Sequence, residues 1–375
     1  MSIENTSEQS NTIAELLTQA FAAYENEQYD DAKVLYENAL AIDAENLDAL
    51  LGLAKTFYKQ KELDSSEKLI QKVLFKFPAA SAFMALQAEI EIDKGKYETC
   101  IALCTKILKL DPDSFVAYSF LGMANAQLQI FTKAEKFYLK ALEISPHHYI
   151  PGLNLSSLYL KKLNEPQKAL DILLQLFGNV PGKETETFYT LLAHSYYRNG
   201  ELLLALGYTM KLAELFPENV SYHYLAGSIN SELSSPDGIP YWQKVIELTP
   251  DRVEAWTQLL SWCLADNQID LGFPYALEAV KLFPDNAIFT SYLGRYYLEQ
   301  AQYEKARECF ELTLSLTQEL QAYYNILLGK ACDKLGDREV AKKSFSEVYR
   351  YDYGFIQRTM PELFNEFQEL SRKYN

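Results

Sequence analysis

An all-α solenoid of about ten helical hairpins is what this 375-residue sequence predicts, and three observations point there. Prolines recur at a fixed interval, small residues recur in two phased slots, and a bulky residue follows the later slot at helical spacing.

Pro78, Pro112 and Pro146 stand 34 residues apart, and Pro250 and Pro284 repeat the interval. A fixed period of this length marks a repeat array. Counting back from the prolines, small residues fall at Ala32, Ser66, Cys100, Ala134, Ala169, Ala205, Gly238, Gly272, Ala306 and Ala341. A second slot twelve residues earlier, with a one-residue offset in two irregular repeats, holds Ala20, Ala54, Ala88, Gly122, Ser156, Ala193, Gly227, Leu260, Gly294 and Gly329. Nine of these ten are small, an outcome chance would deliver on the order of once in 100,000 trials from ordinary composition.

Two antiparallel helices approach closely only where both present small side chains, with bulky neighbours filling the space beside them. The bulky partner lies four residues after the later slot, at Tyr36, Ile70, Tyr138, Leu173, Trp242, Phe310 and Phe345, so that both fall on one helix face. Most second helices then meet a turn such as Asp111-Pro112-Asp113 or Ser145-Pro146-His147, the closing proline being replaced at Ala44, Gln318 and Tyr353, and proline cannot continue the helix.

Tyr118-x-x-Leu121-Gly122, Ala134-x-x-x-Tyr138, Ala141 and Pro146 together resemble the tetratricopeptide repeat (TPR), and the likeness runs over roughly residues 13–353. The resemblance implies helix pairs stacked into a right-handed superhelical solenoid, with the first helix of each pair lining a concave groove that binds other proteins. It also brings two subclasses to compare. The slots that clamp a terminal carboxylate in chaperone-tail receptors hold Leu17, Phe21, Gly52, Ala82 and Leu86 here, and of the asparagine ladder of the sugar-transferase superhelices only Asn154 has a counterpart.

Departures from the period set the expected organisation: a disordered tail at 1–12, repeats one to five at 13–182, repeats six to ten at 183–353 and a capping helix at 354–375. The fifth repeat carries an extra residue near Asn164-Glu165-Pro166, and the glycine-bearing link from Phe177 to Lys183 makes 182 the expected joint between two lobes. The stretch Ser234–Pro240 is one residue short and sets Pro240 in the first turn of its helix, a tolerated position. After the last repeat, Leu363, Phe364, Phe367, Leu370 and Tyr374 form one apolar stripe, the pattern of a helix that covers an open array end.

Composition narrows the function. Some 48% of residues are hydrophobic and the formal net charge is −16, without a segregated basic stripe, which excludes general nucleic-acid binding. No run approaches a membrane span, and the polar N-terminal stretch lacks the pattern of a secretory signal, so the expected setting is cytoplasmic. No phosphate loop, H-E-x-x-H or G-x-S-x-G motif is present. We therefore expect no enzyme, no metal site and no cofactor. Cys100 and Cys104 have helical ligand spacing but occupy core slots, and His147 and His148 sit in a turn, where solvated side chains are the rule.

The groove is then the expected partner-binding surface. Its slots give Leu17, Phe21, Tyr24, Leu51, Lys55 and Tyr58 in the first two repeats, apolar and aromatic with a base. The middle gives Asn154, Ser157, Thr190, His194, Tyr197, Tyr224, Ser228, Ser231, Thr257 and Ser261, neutral and hydroxyl-rich, and the last two repeats give Ser291, Arg295, Ile326, Lys330 and Asp333. For the aromatics two roles stand, ligand contact or packing between repeats; for His194, a groove contact or a plain surface residue. The partner expected is another protein, as an extended peptide or a helix along the groove. The alternatives are a structural subunit that docks through its convex face or ends, or an accessory subunit of an enzyme.

Overall fold

The computed structural model describes residues 2–182, 185–351 and 353–374, with side chains from residue 11 onward. Among them it contains twenty-two α-helices and no strand. The chain divides into two compact units, residues 1–200 and 201–375. The division falls after Gly200, one helix later than the joint expected at 182.

Unit one opens with α1 (Ser2–Glu25), α2 (Tyr29–Ile42), α3 (Leu47–Lys59), α4 (Leu63–Lys76), α5 (Ser81–Asp93) and α6 (Tyr97–Leu110). It continues through α7 (Phe115–Gln127), α8 (Phe131–Ile144), α9 (Tyr149–Leu158), α10 (Pro166–Gln175) and α11 (Thr185–Arg198). Unit two holds α12 (Leu202–Leu215), α13 (Val220–Glu232), α14 (Ile239–Leu248), α15 (Val253–Ala265), α16 (Ile269–Leu282) and α17 (Ala287–Glu299). It ends with α18 (Tyr303–Leu316), α19 (Gln321–Leu335), α20 (Arg338–Val348), α21 (Gly354–Thr359) and α22 (Pro361–Arg372). Within each unit consecutive helices pack as hairpins, and each first helix also touches the first helix of the next hairpin, as α1 touches α3 and α3 touches α5.

The phased slots do what their sizes require. A Cβ placed on Gly122 would lie 2.5 Å from the Tyr138 ring, one on Gly227 2.7 Å from Trp242, one on Gly294 2.7 Å from Phe310 and one on Gly329 2.4 Å from Phe345. Each aromatic lies flat on backbone that only glycine leaves bare, and all four rings are buried. In the α15–α16 hairpin the sizes are exchanged. Leu260, fully buried, fills the first-helix slot, and Ala276 stands where seven of the other repeats carry a bulky residue; both belong to the same core cluster. Cys100 and Cys104 are core residues with sulfurs 3.9 Å apart.

The turns are closed by local polar caps. Asn46 Oδ1 accepts from the Ala49 N–H at 3.0 Å, and Asp111 Oδ1 accepts from the Asp113 N–H at 3.2 Å beside Pro112. His148 differs from expectation: its ring stacks on Tyr149 and packs 4.6 Å from Phe115. Burial against these rings lowers its pKa, since an imidazolium would lose its hydration there.

The irregular stretches take defined forms. The extra residue before Pro166 is absorbed as a π-helical turn, Tyr159–Leu163, closed by Asn164 in the left-handed region at φ 54°. The Leu160 carbonyl accepts from Arg198 of α11, giving one carbonyl of the widened turn a donor. The short stretch near Pro236 becomes a 3-10 turn, Pro236–Gly238, and Pro240 sits in the first turn of α14.

The ends also depart from expectation. Residues 2–12, expected as a disordered tail, belong to α1; neither proline nor glycine interrupts Ser2–Glu25, so the helix continues unbroken. The single capping helix is two, α21 and α22, separated at Met360 just before Pro361, where the residue preceding a proline is disfavoured from helix. The cover itself is as read: Phe364 and Phe367 are buried together with Phe345 and Val348 in one cluster.

Candidate groove surface

In unit one, α1 and α3 frame an open cleft of about 480 Å³. Leu17, Phe21, Tyr24, Leu51 and Lys55 all line it, with Glu25 and Asp48 beside them. Four-residue spacing on α1 sets Leu17 one turn from Phe21, and the 34-residue period aligns Phe21 with Lys55 on the neighbouring helix. The Phe21 side chain is 59% exposed, an unusual state for a large apolar ring within a cleft. Tyr24 is half-buried and packs edge-on against Tyr29 at 5.7 Å.

Tyr58 lies one turn beyond the cleft on α3 and donates its hydroxyl to the Asp93 carboxylate of α5. Burial first, then this hydrogen bond, raises its pKa, and burial followed by the charge of Glu89 raises that of Tyr24. The Glu89 carboxyl is itself raised by burial and by Asp93, against the opposing pull of Lys59 and Lys55. Glu89 and Asp93 were absent from the sequence-derived site, although a signal existed: Glu89 stands 34 residues after Lys55, in the same groove slot.

Farther along unit one, Asn154 and Ser157 on α9 and Thr190 and Tyr197 on α11 are half-buried, and His194 is exposed. The pKa of His194 is lowered, first by loss of hydration and then by the cations Arg198 and Lys161.

Unit two has its own first-helix face. Tyr224 of α13 packs edge-on against Trp242 at 5.3 Å and lies 4.3 Å from the Arg252 guanidinium, a packing role. Ser228 is half-buried, and the Thr257 hydroxyl donates to the Val253 carbonyl of its own helix at 3.0 Å. Trp262 Nε1–H donates to Ser231 Oγ at 3.0 Å, and that hydroxyl donates to Gln258 Oε1 at 3.2 Å, tying α13 to α15. Ser261 is exposed.

At the last repeats the chain itself, through α21 and α22, forms one wall of the expected groove. A second cleft, about 550 Å³, is lined by Arg295, Tyr323 and Lys330 on one side and by Thr359, Met360 and Leu363 on the other. Arg295 sits 5.6 Å from the Tyr292 ring. Lys330 is ion-paired with Glu366 of α22 at 2.9 Å, and Asp333 accepts from the Tyr374 hydroxyl at 2.6 Å. Ile326, expected in an open slot, is 1% exposed and belongs to the core cluster that includes Phe364 and Phe367 of α22; Ser291, in the corresponding slot of α17, is also buried.

Three stretches, residues 23–90, 85–149 and 321–354, match tetratricopeptide repeat family models. The chain is a tetratricopeptide repeat protein. Tetratricopeptide repeat protein 37 of Xenopus laevis is 25% identical over 223 residues, covering 56% of this chain and 13% of its own length. Superkiller complex protein 3 of Homo sapiens is 23% identical over 226 residues, covering 58% of this chain and 14% of its own. The chain thus spans about a seventh of the length of these relatives. Among solved structures, PilF of Pseudomonas aeruginosa aligns with a TM-score of 0.48 at 17% identity, covering 57% of this chain and 96% of that one. The TPR architecture is that of a protein-interaction scaffold in general. Among the described residues no helix is long and apolar enough to cross a membrane.

Proposed function

We propose that this TPR protein is a non-catalytic scaffold that holds another protein by taking an apolar side chain of an extended or helical partner segment into the cleft between α1 and α3. The observation that carries this reading is the open cleft itself, in which Phe21 stands 59% exposed beside Leu17, Leu51 and Lys55. Exposed aromatics in a concave site are the residues that dominate interface energies.

Selection of a displayed peptide library on the intact chain tests it. Enriched peptides should carry an aromatic or branched aliphatic residue, and Phe21→Ala should weaken them by about 1–2 kcal/mol. Enrichment indifferent to both Phe21→Ala and Lys55→Ala would sink the proposal.

A second reading, a subunit docking through its outer helices, is favoured by Phe75 of α4 and Leu203 of α12, which are 91% and 74% exposed. The name of the human relative, a complex protein, is compatible with it. Under this reading Phe75→Ser would release a bound assembly while Phe21→Ala would leave it intact.

A further inference from the structure

The α1–α3 cleft does not end at its apolar floor. Two of its lining residues, Glu25 and Asp48, are acidic, and across α3 the groove continues to Glu89 and Asp93 of α5. Asp93 is engaged by the Tyr58 hydroxyl. Glu89 is half-buried, and among the described residues no hydrogen bond or close ion pair reaches its carboxylate. The opposing cations are Lys55, which lines the cleft, and Lys59, whose ammonium lies 5.5 Å from the Tyr58 ring. Around Tyr24 and Tyr58, Glu25, Glu89 and Asp93 therefore set three carboxylates against two ammonium groups, in a chain of net charge −16.

We propose that this strip of the groove is a subsite for a cationic side chain, so that the partner segment pairs an apolar anchor with a lysine or arginine two or three residues away. The inference rests on the cleft reading above and adds the chemistry of the neighbouring contact. A partly desolvated carboxylate without a donor gains most from a charged donor brought by a ligand. The rings of Tyr24 and Tyr58 supply electron-rich faces toward which a cation is drawn. Burial and the nearby carboxylates raise both phenols and keep them neutral. The separation follows from the fold: adjacent helices lie about 8–10 Å apart, and an extended chain advances about 3.3 Å per residue. An anionic side chain could meet Lys55 or Lys59, but it would face Glu89 and Asp93 at once.

The probe is a fluorescein-labelled peptide with the core Arg-Ser-Phe-Ser-Arg between Gly-Ser flanks, which presents the same order in either chain direction. Its controls are Glu-Ser-Phe-Ser-Glu and Arg-Ser-Ala-Ser-Arg. In anisotropy titrations with the intact chain, the arginine probe should bind at least tenfold tighter than the glutamate control. Glu89→Gln should reduce that ratio to below threefold, and Glu25→Gln, on the exposed rim, should lower it by a smaller factor. Phe21→Ala should weaken the arginine and glutamate peptides equally. A ratio of one or less in the wild type overturns the cationic subsite, as does a tenfold ratio that survives Glu89→Gln. The cleft reading stands in either case if the alanine control binds more weakly than the arginine probe. Failure of all three peptides to bind overturns both.

Discussion

The two ends of this chain treat the same repeat face in opposite ways. At the α1–α3 end the groove is open, with Phe21 more than half exposed and Lys55 free to meet a ligand. At the α19–α20 end the chain supplies its own cover: α22 buries Phe364 and Phe367, pairs Glu366 with Lys330 and ties Tyr374 to Asp333. A slot position in a solenoid therefore fixes where a side chain stands but not what it serves. Lys55 and Lys330 occupy corresponding faces, one a candidate ligand contact and the other part of the fold.

The largest expected effect lies at the covered end. Phe367→Ala, at a fully buried site, should lower the stability of the terminal hairpin by about 3–5 kcal/mol. The formally similar Phe21→Ala should change stability by no more than about 0.5 kcal/mol. Hydrogen exchange read hairpin by hairpin compares them, and equal losses at the two ends would contradict the contrast.

Next comes an interior reference. Gly122→Leu forces side-chain atoms into the Tyr138 ring and should cost about 3 kcal/mol, loosening α7 and α8 before distant hairpins. Uniform loss of protection across the chain would argue against nearest-neighbour coupling.

Lys330→Glu should cost about 0.5–1 kcal/mol through loss of its pair with Glu366. It should leave binding at the α1–α3 cleft unchanged, whereas Lys55→Glu should do the reverse. Thermal melts and the peptide titrations, run on both variants, separate the two roles.

The smallest effect is at Glu89. Burial raises its carboxyl pKa, so the folded state holds the proton more tightly than the unfolded chain and the ionised form opposes folding at neutral pH. Glu89→Gln should raise the melting midpoint slightly at pH 7. The wild type should close the gap as pH falls through the raised value toward about 4.3, the ordinary glutamate value. A gap that widens on acidification would reverse the assignment.

Much of this was legible in residue spacing. The period and size of the slots located the helix pairs and the small and bulky positions that pack between them, because close helix approach is a local steric demand. The cleft residues Leu17, Phe21, Tyr24, Leu51 and Lys55 were likewise found together from register alone. What could not be read was set by contacts distant in sequence. The pairing of Lys330 depends on where α22 lies, 36 residues away, and Ile326 joins the core cluster to which α22 contributes Phe364 and Phe367. The extra residue near Asn164 was visible as an insertion, but not its form as a π turn, one carbonyl of which accepts from Arg198 of a different helix. Glu89 was in register and readable; it was missed because its sequence neighbours on α5 look like core.

The exchange of sizes at Leu260 and Ala276 limits how such an array can be rebuilt by recombination. Tyr138 needs a bare glycine opposite, and Leu260 stands where the first-helix glycine of a hairpin would be. A chimera joining α15 to α8 would set a leucine against that ring, while one joining α7 to α16 would set Gly122 against Ala276 and leave a void. Hairpins of this chain are therefore better moved as whole pairs than as single helices, and because Gly52 of α3 packs on Tyr36 of α2 and Gly272 of α16 on Tyr296 of α17, the joints between transferred pairs have to match as well.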